Sequence, residues 1–202
     1  YETCPIHQNL PILALLDYAA WEHAAPLLKS LIKPAVDRHW KYFTKRFWLV
    51  GNGWQHPLKT EAGWCGVTNQ DLVAVAALTA YGRLYGDFSR YNDTGKKVLD
   101  VYLSPSYYHE KLGLFERGDA ANFVERTPYY SIILRMLTRI YNDVKDERLP
   151  AIIDNVALHL FDSVYTAPDG LTHMAWGAVT DPEDKGRVID WIRTPVVFGD
   201  YP

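Results

Sequence analysis

Apolar positions along this chain recur every three or four residues, and the pattern predicts a mostly helical protein. The stretch from Leu10 to about His23 is rich in Leu and Ala. A second helix is expected to open at Pro26, with Leu27, Leu28, Leu31, Ile32, Val36, Trp40, Phe43 and Phe47 on its apolar side. Pro34 falls inside that pattern and is expected to kink or interrupt it. Gly51-Asn52-Gly53 ends it, and a polar, aromatic loop runs from Trp54 to Thr68. From Asp71 to Tyr85, Leu72, Val75, Ala76, Ala80 and Leu84 form one stripe, and Gly86 closes the helix. Thr79 shares the stripe and is expected at a groove or a helix–helix contact. A shorter helix follows from about Arg90 to Leu103, stopped by Pro105. After a loop from Gly113 to Arg126, Thr127-Pro128 opens a helix with an N-cap and a proline in the first turn. It is expected to run to about Asn142, and the last helix from about Leu149 to Tyr165. Pro168-Asp169-Gly170 is a turn, and Leu171 to Val179 reads as extended or irregular.

These segments repeat with a period of about 60 residues. The helix starts His7-Gln8-Asn9-Leu10, Asn69-Gln70-Asp71-Leu72 and Glu125-Arg126-Thr127-Pro128 superpose, and Arg193-Thr194-Pro195 echoes Arg126-Thr127-Pro128. Each unit is two helices and a glycine-led aromatic stretch: Gly53-Trp54, Gly113-Leu114-Phe115 or Gly170-Leu171. The expected helical hairpins cover about 9–50, 69–104 and 127–166, with a fourth beginning near 194. Stacked side by side, such units bury their apolar faces and gather the long loops at one end, beside the N-termini of each first helix. A first residue Tyr1 and a last residue Pro202, at the threshold of the fourth hairpin, suggest an excised or processed piece whose remaining hairpins come from the same or another chain.

Repeated hairpins, with Gly63-Trp64-Cys65-Gly66-Val67-Thr68-Asn69-Gln70-Asp71-Leu72, Phe115-Glu116-Arg117-Gly118-Asp119 and Asp169-Gly170-Leu171-Thr172-His173, resemble the α/α-toroid superfamily of six-hairpin glycosidases and toroidal polysaccharide lyases. The resemblance implies an all-α fold forming about half of a toroid. It also implies a glycan-cleaving activity at the face where the loops meet.

The composition fits a globular protein: 202 residues, 48% hydrophobic and 22% charged. A net charge of −3 does not suggest a nucleic-acid partner, and no run is long and apolar enough to span a membrane, so neither partner is expected. No P-loop, dinucleotide, zinc-protease or nucleophile-elbow pattern occurs, and no metal or other cofactor is expected. Cys4 and Cys65 are either two buried thiols or one disulfide; the disulfide would favour an extracellular or secretory compartment.

The 14% aromatic content includes 14 Tyr and 7 Trp, and it changes the picture. Aromatic faces suit both cores and sugar rings. Trp54, His56, Trp64 and Trp176 are the candidate sugar platforms, with Glu116, Arg117 and Tyr130 as further binding residues. Hydrolysis of a glycosidic bond needs two carboxyl groups, and Asp119 with Glu125, or either with Asp71, are the candidate pairs. Elimination beside a uronic acid needs a carboxylate neutraliser, a base and an acid. Asn69, Arg126, His173 and Tyr129 or Tyr130 are the candidates for those roles. Carboxylates outnumber cationic groups on this face, so hydrolysis of a poly- or oligosaccharide is the expected reaction, with lyase action on a uronic-acid glycan as the alternative. A non-catalytic helical scaffold that binds glycan or protein is the third reading.

Overall fold

The computed structural model describes residues 5–50, 53–55, 66–118, 124–184 and 187–193. The protein is predominantly helical. Three helix pairs follow one another: α1 (Pro5–Ala20) with α2 (Pro26–Arg46), α3 (Thr68–Tyr85) with α4 (Lys96–Tyr102), and α5 (Thr127–Val144) with α6 (Leu149–Asp162). A π-helical turn at Tyr91–Gly95 leads into α4.

Each pair is followed by a short antiparallel hairpin: β1 (Trp48–Val50) with β2 (Gly53–Gln55), β3 (Tyr108–His109) with β4 (Leu114–Phe115), and β5 (Val164–Thr166) with β6 (Thr172–Met174). The glycine-led stretches expected as loops are therefore strands or turns of hairpins. A further hairpin, β7 (Gly177–Thr180) with β8 (Val188–Ile192), completes the described chain.

α3 sits in the middle, packed between α1 and α5. Its apolar residues do not keep to one stripe; Leu72 to Tyr81 is buried on every side, as an all-round apolar helix should be. Ala74, Ala76, Ala77 and Ala80 have no bulk and let both neighbours approach closely. The three first helices run parallel, which polar contacts near their C-terminal ends establish. Arg139 on α5 forms an ion pair with Asp17 on α1, and Asp143 on α5 takes Arg83 at 2.6 Å and the Thr79 hydroxyl at 3.0 Å, both on α3. Of the groove and the helix contact expected for Thr79, the structure places it at a helix contact. The Asp17–Arg139 pair also spans α3, so the row of first helices is curved. On the other side of α3, Asp37 of α2 accepts hydrogen bonds from the Tyr81 hydroxyl at 2.8 Å and Arg90 at 2.9 Å.

Three local expectations need correction. α1 starts at Pro5 rather than Leu10, with the Asn9 amide donating to the Pro5 carbonyl at 2.9 Å, and it ends before Trp21. Pro34 does not interrupt α2: Ser30 and Pro34 are both exposed, so solvent can satisfy the carbonyl deprived of its helical partner. The stretch from Gly113 to Arg126 is not simply a loop. It carries β4 and two further bridges, Glu116 with Val124 and Gly118 with Val67. The expected fourth helix start near 194, with Cys4 and Cys65, lies outside the described residues.

Candidate functional site

The bridges stitch the second hairpin to the N-termini of two first helices. The Thr68 amide donates to the Arg117 carbonyl at 3.0 Å and the Thr68 hydroxyl to the Glu116 carbonyl at 2.6 Å. The Glu125 amide donates to the Phe115 carbonyl at 2.7 Å. Tyr130 reaches back from α5: its hydroxyl accepts from the Phe115 amide at 2.8 Å. This seam holds most of the candidate residues expected from the sequence, and it buries their carboxylates.

Glu125 is 1% exposed. Its Oε1 accepts from Arg117 Nη1 at 2.5 Å and from the Arg126 amide at 2.9 Å. Its Oε2 has no hydrogen-bond partner among the described residues. Burial pushes its carboxyl above the usual range, and the nearby Arg117 offsets only part of that rise. The Arg117 guanidinium in turn lies 4.8 Å from the centre of the Tyr129 ring. Glu116 is also buried, with His109 Nε2 at 2.9 Å from its Oε1. Asp71 is fully buried and accepts from the Tyr102 hydroxyl at 2.8 Å. Asn69 is buried beside it in α3, with Oδ1 unpartnered among the described residues. Tyr130 is fully buried, and burial holds its hydroxyl well above the ordinary phenol range.

Accessible chemistry lies next door. A groove of about 1040 Å³ runs between the first turn of α5 and the third hairpin, lined by Thr127, Tyr165, Asp169, His173, Trp176 and Arg193 among others. Its position follows from backbone pairing. The Thr127 amide donates to the Trp176 carbonyl at 2.9 Å, and Trp176 donates to the Ile192 carbonyl at 2.7 Å. Tyr165 and His173 are register partners across β5 and β6, with ring centres 5.9 Å apart. The Tyr165 hydroxyl donates to the Arg193 carbonyl at 2.5 Å, and the Arg193 guanidinium lies 5.7 Å from the Tyr165 ring centre. His173 Nε2 is 3.6 Å from Asp169 Oδ2, and both side chains are about half exposed.

The expected site is therefore divided. His173 and Trp176 line the groove. The Arg126 stem packs toward Gly177, whose hydrogen occupies a place where a methyl would sit 3.0 Å from the Arg126 Cδ. Asp71, Asn69, Glu116, Glu125 and Tyr130 are buried in or behind the seam. Asp119, His56 and Trp64 lie outside the described residues, as does the Trp54 side chain. Sequence reading missed Tyr165 and Arg193. Arg193 had a signal, because it stands in the Arg-Thr-Pro echo of Arg126. Tyr165 had none until hairpin register set it opposite His173. Among the described residues no group of three His, Cys, Asp or Glu side chains is placed to hold a metal ion, and no helix is long and apolar enough to cross a membrane.

Behind the groove, His159 is 4% exposed, between Tyr130 at 4.6 Å and Trp191 at 5.1 Å. Burial lowers its pKa to about 4. An unfolded histidine titrates near 6.5, so between those values the unfolded chain binds more protons than the folded one. Stability therefore falls as pH drops from about 6.5 toward 4, by up to about 3 kcal/mol from this group. His159→Phe should flatten that part of a plot of unfolding free energy against pH. An unchanged slope would assign the acid sensitivity elsewhere.

No protein-family model matches the chain, and neither a curated protein nor a solved structure does.

Proposed function

We propose that the protein cleaves glycosidic bonds in a poly- or oligosaccharide, with the groove beside β5 and β6 as the sugar-binding cleft. The observation that carries this reading is the make-up of the groove: Trp176 and Tyr165 rings beside His173, Asp169 and Arg193. Aromatic faces stack on the C–H faces of sugar rings, while the polar groups fix the hydroxyls and any charge. The architecture supports the same reading. Three helix pairs with parallel, curved first helices suit an arc of an α/α toroid, about half of a ring, with the groove beside the N-terminus of α5.

Burial supports elimination over hydrolysis. A count of carboxylates favours hydrolysis, but Asp71, Glu116 and Glu125 are enclosed. The accessible groups suit β-elimination at a uronic-acid residue. His173 would take the proton at C5, Arg193 would stabilise the charge developing on the sugar carboxylate, and the C4–O bond would break as the C4=C5 double bond forms, a proton reaching the leaving oxygen. Hydrolysis remains the second reading on one observation: the raised carboxyl of Glu125, a property of a general acid.

Incubation with polyuronates should release unsaturated products that absorb in the ultraviolet. New reducing ends without that absorbance would establish hydrolysis instead. Glycan binding without cleavage would leave a binding scaffold. In the elimination reading, His173→Ala should lower kcat about 100-fold with little change in glycan binding. Near-normal turnover in that variant would remove His173 from the chemistry.

A further inference from the structure

The turn between β5 and β6 fixes a carboxylate beside His173. Gly170 takes φ +80°, and its amide donates to the Ala167 carbonyl at 2.9 Å, while the Ala167 amide donates to the Leu171 carbonyl at 2.9 Å. Asp169 is tied into the same turn, its Oδ1 accepting from the Leu171 amide at 2.9 Å. One oxygen of this carboxylate is thus engaged by the backbone, and the other, Oδ2, stands 3.6 Å from His173 Nε2. Across the hairpin the Tyr165 ring faces the imidazole, with 5.9 Å between centres and 31° between planes. Its hydroxyl is anchored on the Arg193 carbonyl at 2.5 Å. His173 therefore has a fixed ring and a fixed carboxylate as neighbours.

We infer that Asp169 is a positioning residue for His173: it keeps the ring proton on Nε2 and leaves Nδ1 as the nitrogen that takes the proton of the substrate. A neutral imidazole carries a single proton, and the contact made by one nitrogen decides which nitrogen keeps its lone pair. Contacts of this kind that are long in a free enzyme tighten when substrate covers the site, so 3.6 Å is a starting distance. The consequence for the reaction rests on the elimination reading; the orientation of the ring does not. In that reaction Nδ1 gains the C5 proton and the C5–H electron pair becomes the C4=C5 double bond. The leaving oxygen keeps the C4–O pair and takes a proton from solvent. The negative charge of Asp169 then stabilises the imidazolium that has formed.

Asp169→Asn separates this role from a structural one. The asparagine oxygen still accepts from the Leu171 amide, so the turn persists. An amino group replaces Oδ2, however, and as a donor it favours the opposite tautomer of His173. Polyuronate cleavage, followed by ultraviolet absorbance, should lose about 10-fold in kcat with KM unchanged. The loss is smaller than for His173→Ala because the competent tautomer stays populated as a minor form. Nitrogen NMR spectra of the uncharged His173 ring, identified by its absence in His173→Ala, should show the proton on Nε2 in the wild type and a shift toward Nδ1 in Asp169→Asn. A proton on Nδ1 in the wild type, or a tautomer balance that the substitution leaves unaltered, would overturn the inference. So would normal turnover in Asp169→Asn. A wild-type protein with the expected tautomer that cleaves no polyuronate would instead remove the elimination reading and support the orientation of the ring by Asp169.

Discussion

Gly113→Ala should destabilise the protein by roughly 3 kcal/mol or more, the larger end of single-residue effects. Two independent costs add at this position. Gly113 has φ +61°, a left-handed conformation that an L side chain adopts at a cost of about 1–2 kcal/mol. A methyl there would also stand 2.3 Å from the Asn155 carbonyl oxygen and 2.7 Å from the Val156 nitrogen. Those atoms belong to the backbone of α6, so they cannot rotate away as a side-chain tip would, and overpacking of this kind typically costs about 1–3 kcal/mol. Gly170 supplies the control: it has φ +80°, and nothing stands within 4 Å of its missing Cβ. Gly170→Ala should therefore lose only the conformational part. Urea unfolding of the two variants would measure the difference directly. Equal losses would show that the close approach of the second hairpin to α6 does not matter.

Arg117→Leu should cost about 3–5 kcal/mol at neutral pH, because it leaves Glu125 as a buried charge without its cation. The Glu125 side chain has no exposed surface, and Arg117 is 16% exposed, so water cannot replace the lost partner. The loss should depend on pH in a definite direction. Burial already raises the Glu125 pKa above its unfolded value, so the folded state favours the protonated acid, and stability is lost as pH rises through the folded pKa. Removing Arg117 raises that pKa further and extends the loss to higher pH. The penalty should be smallest in acid, where Glu125 is neutral, and largest near neutrality. Arg117→Leu with Glu125→Leu should recover much of the stability, since an apolar pair of similar size removes both charges together. A double variant as unstable as the single one would mean that the seam is held by the packing of Arg117 on Tyr129 rather than by charge.

The candidate site was legible in residue type and only partly in place. His173 is a candidate through the resemblance of Asp169-Gly170-Leu171-Thr172-His173 to toroidal lyases and Trp176 as an aromatic platform, and both line the groove. The acidic run from Glu116 to Glu125 read as a row of available carboxylates. Its local sequence is polar, and nothing in it records that Glu116 pairs with His109 or that Glu125 lies under Arg117. The bridge of Glu116 with Val124 folds the segment back on itself, and that of Gly118 with Val67 ties it to a segment far away in the chain.

By itself the sequence determined that the chain is mostly helical and roughly where its helices lie. Those properties rest on interactions within a few residues: apolar spacing, proline in first turns, and glycine where the chain reverses. It placed α3 on one apolar stripe, whereas the fold buries that helix on every side. Tertiary structure alone decided which polar groups meet water. Burial of Asp71 under Tyr102 and the curvature shown by Asp17 reaching Arg139 across α3 join segments distant in sequence, and the register that faces Tyr165 with His173 is set by the pairing of β5 with β6. Desolvation depends on everything that packs around a group, so the availability of a carboxylate for chemistry is a property of the fold and not of the residues beside it.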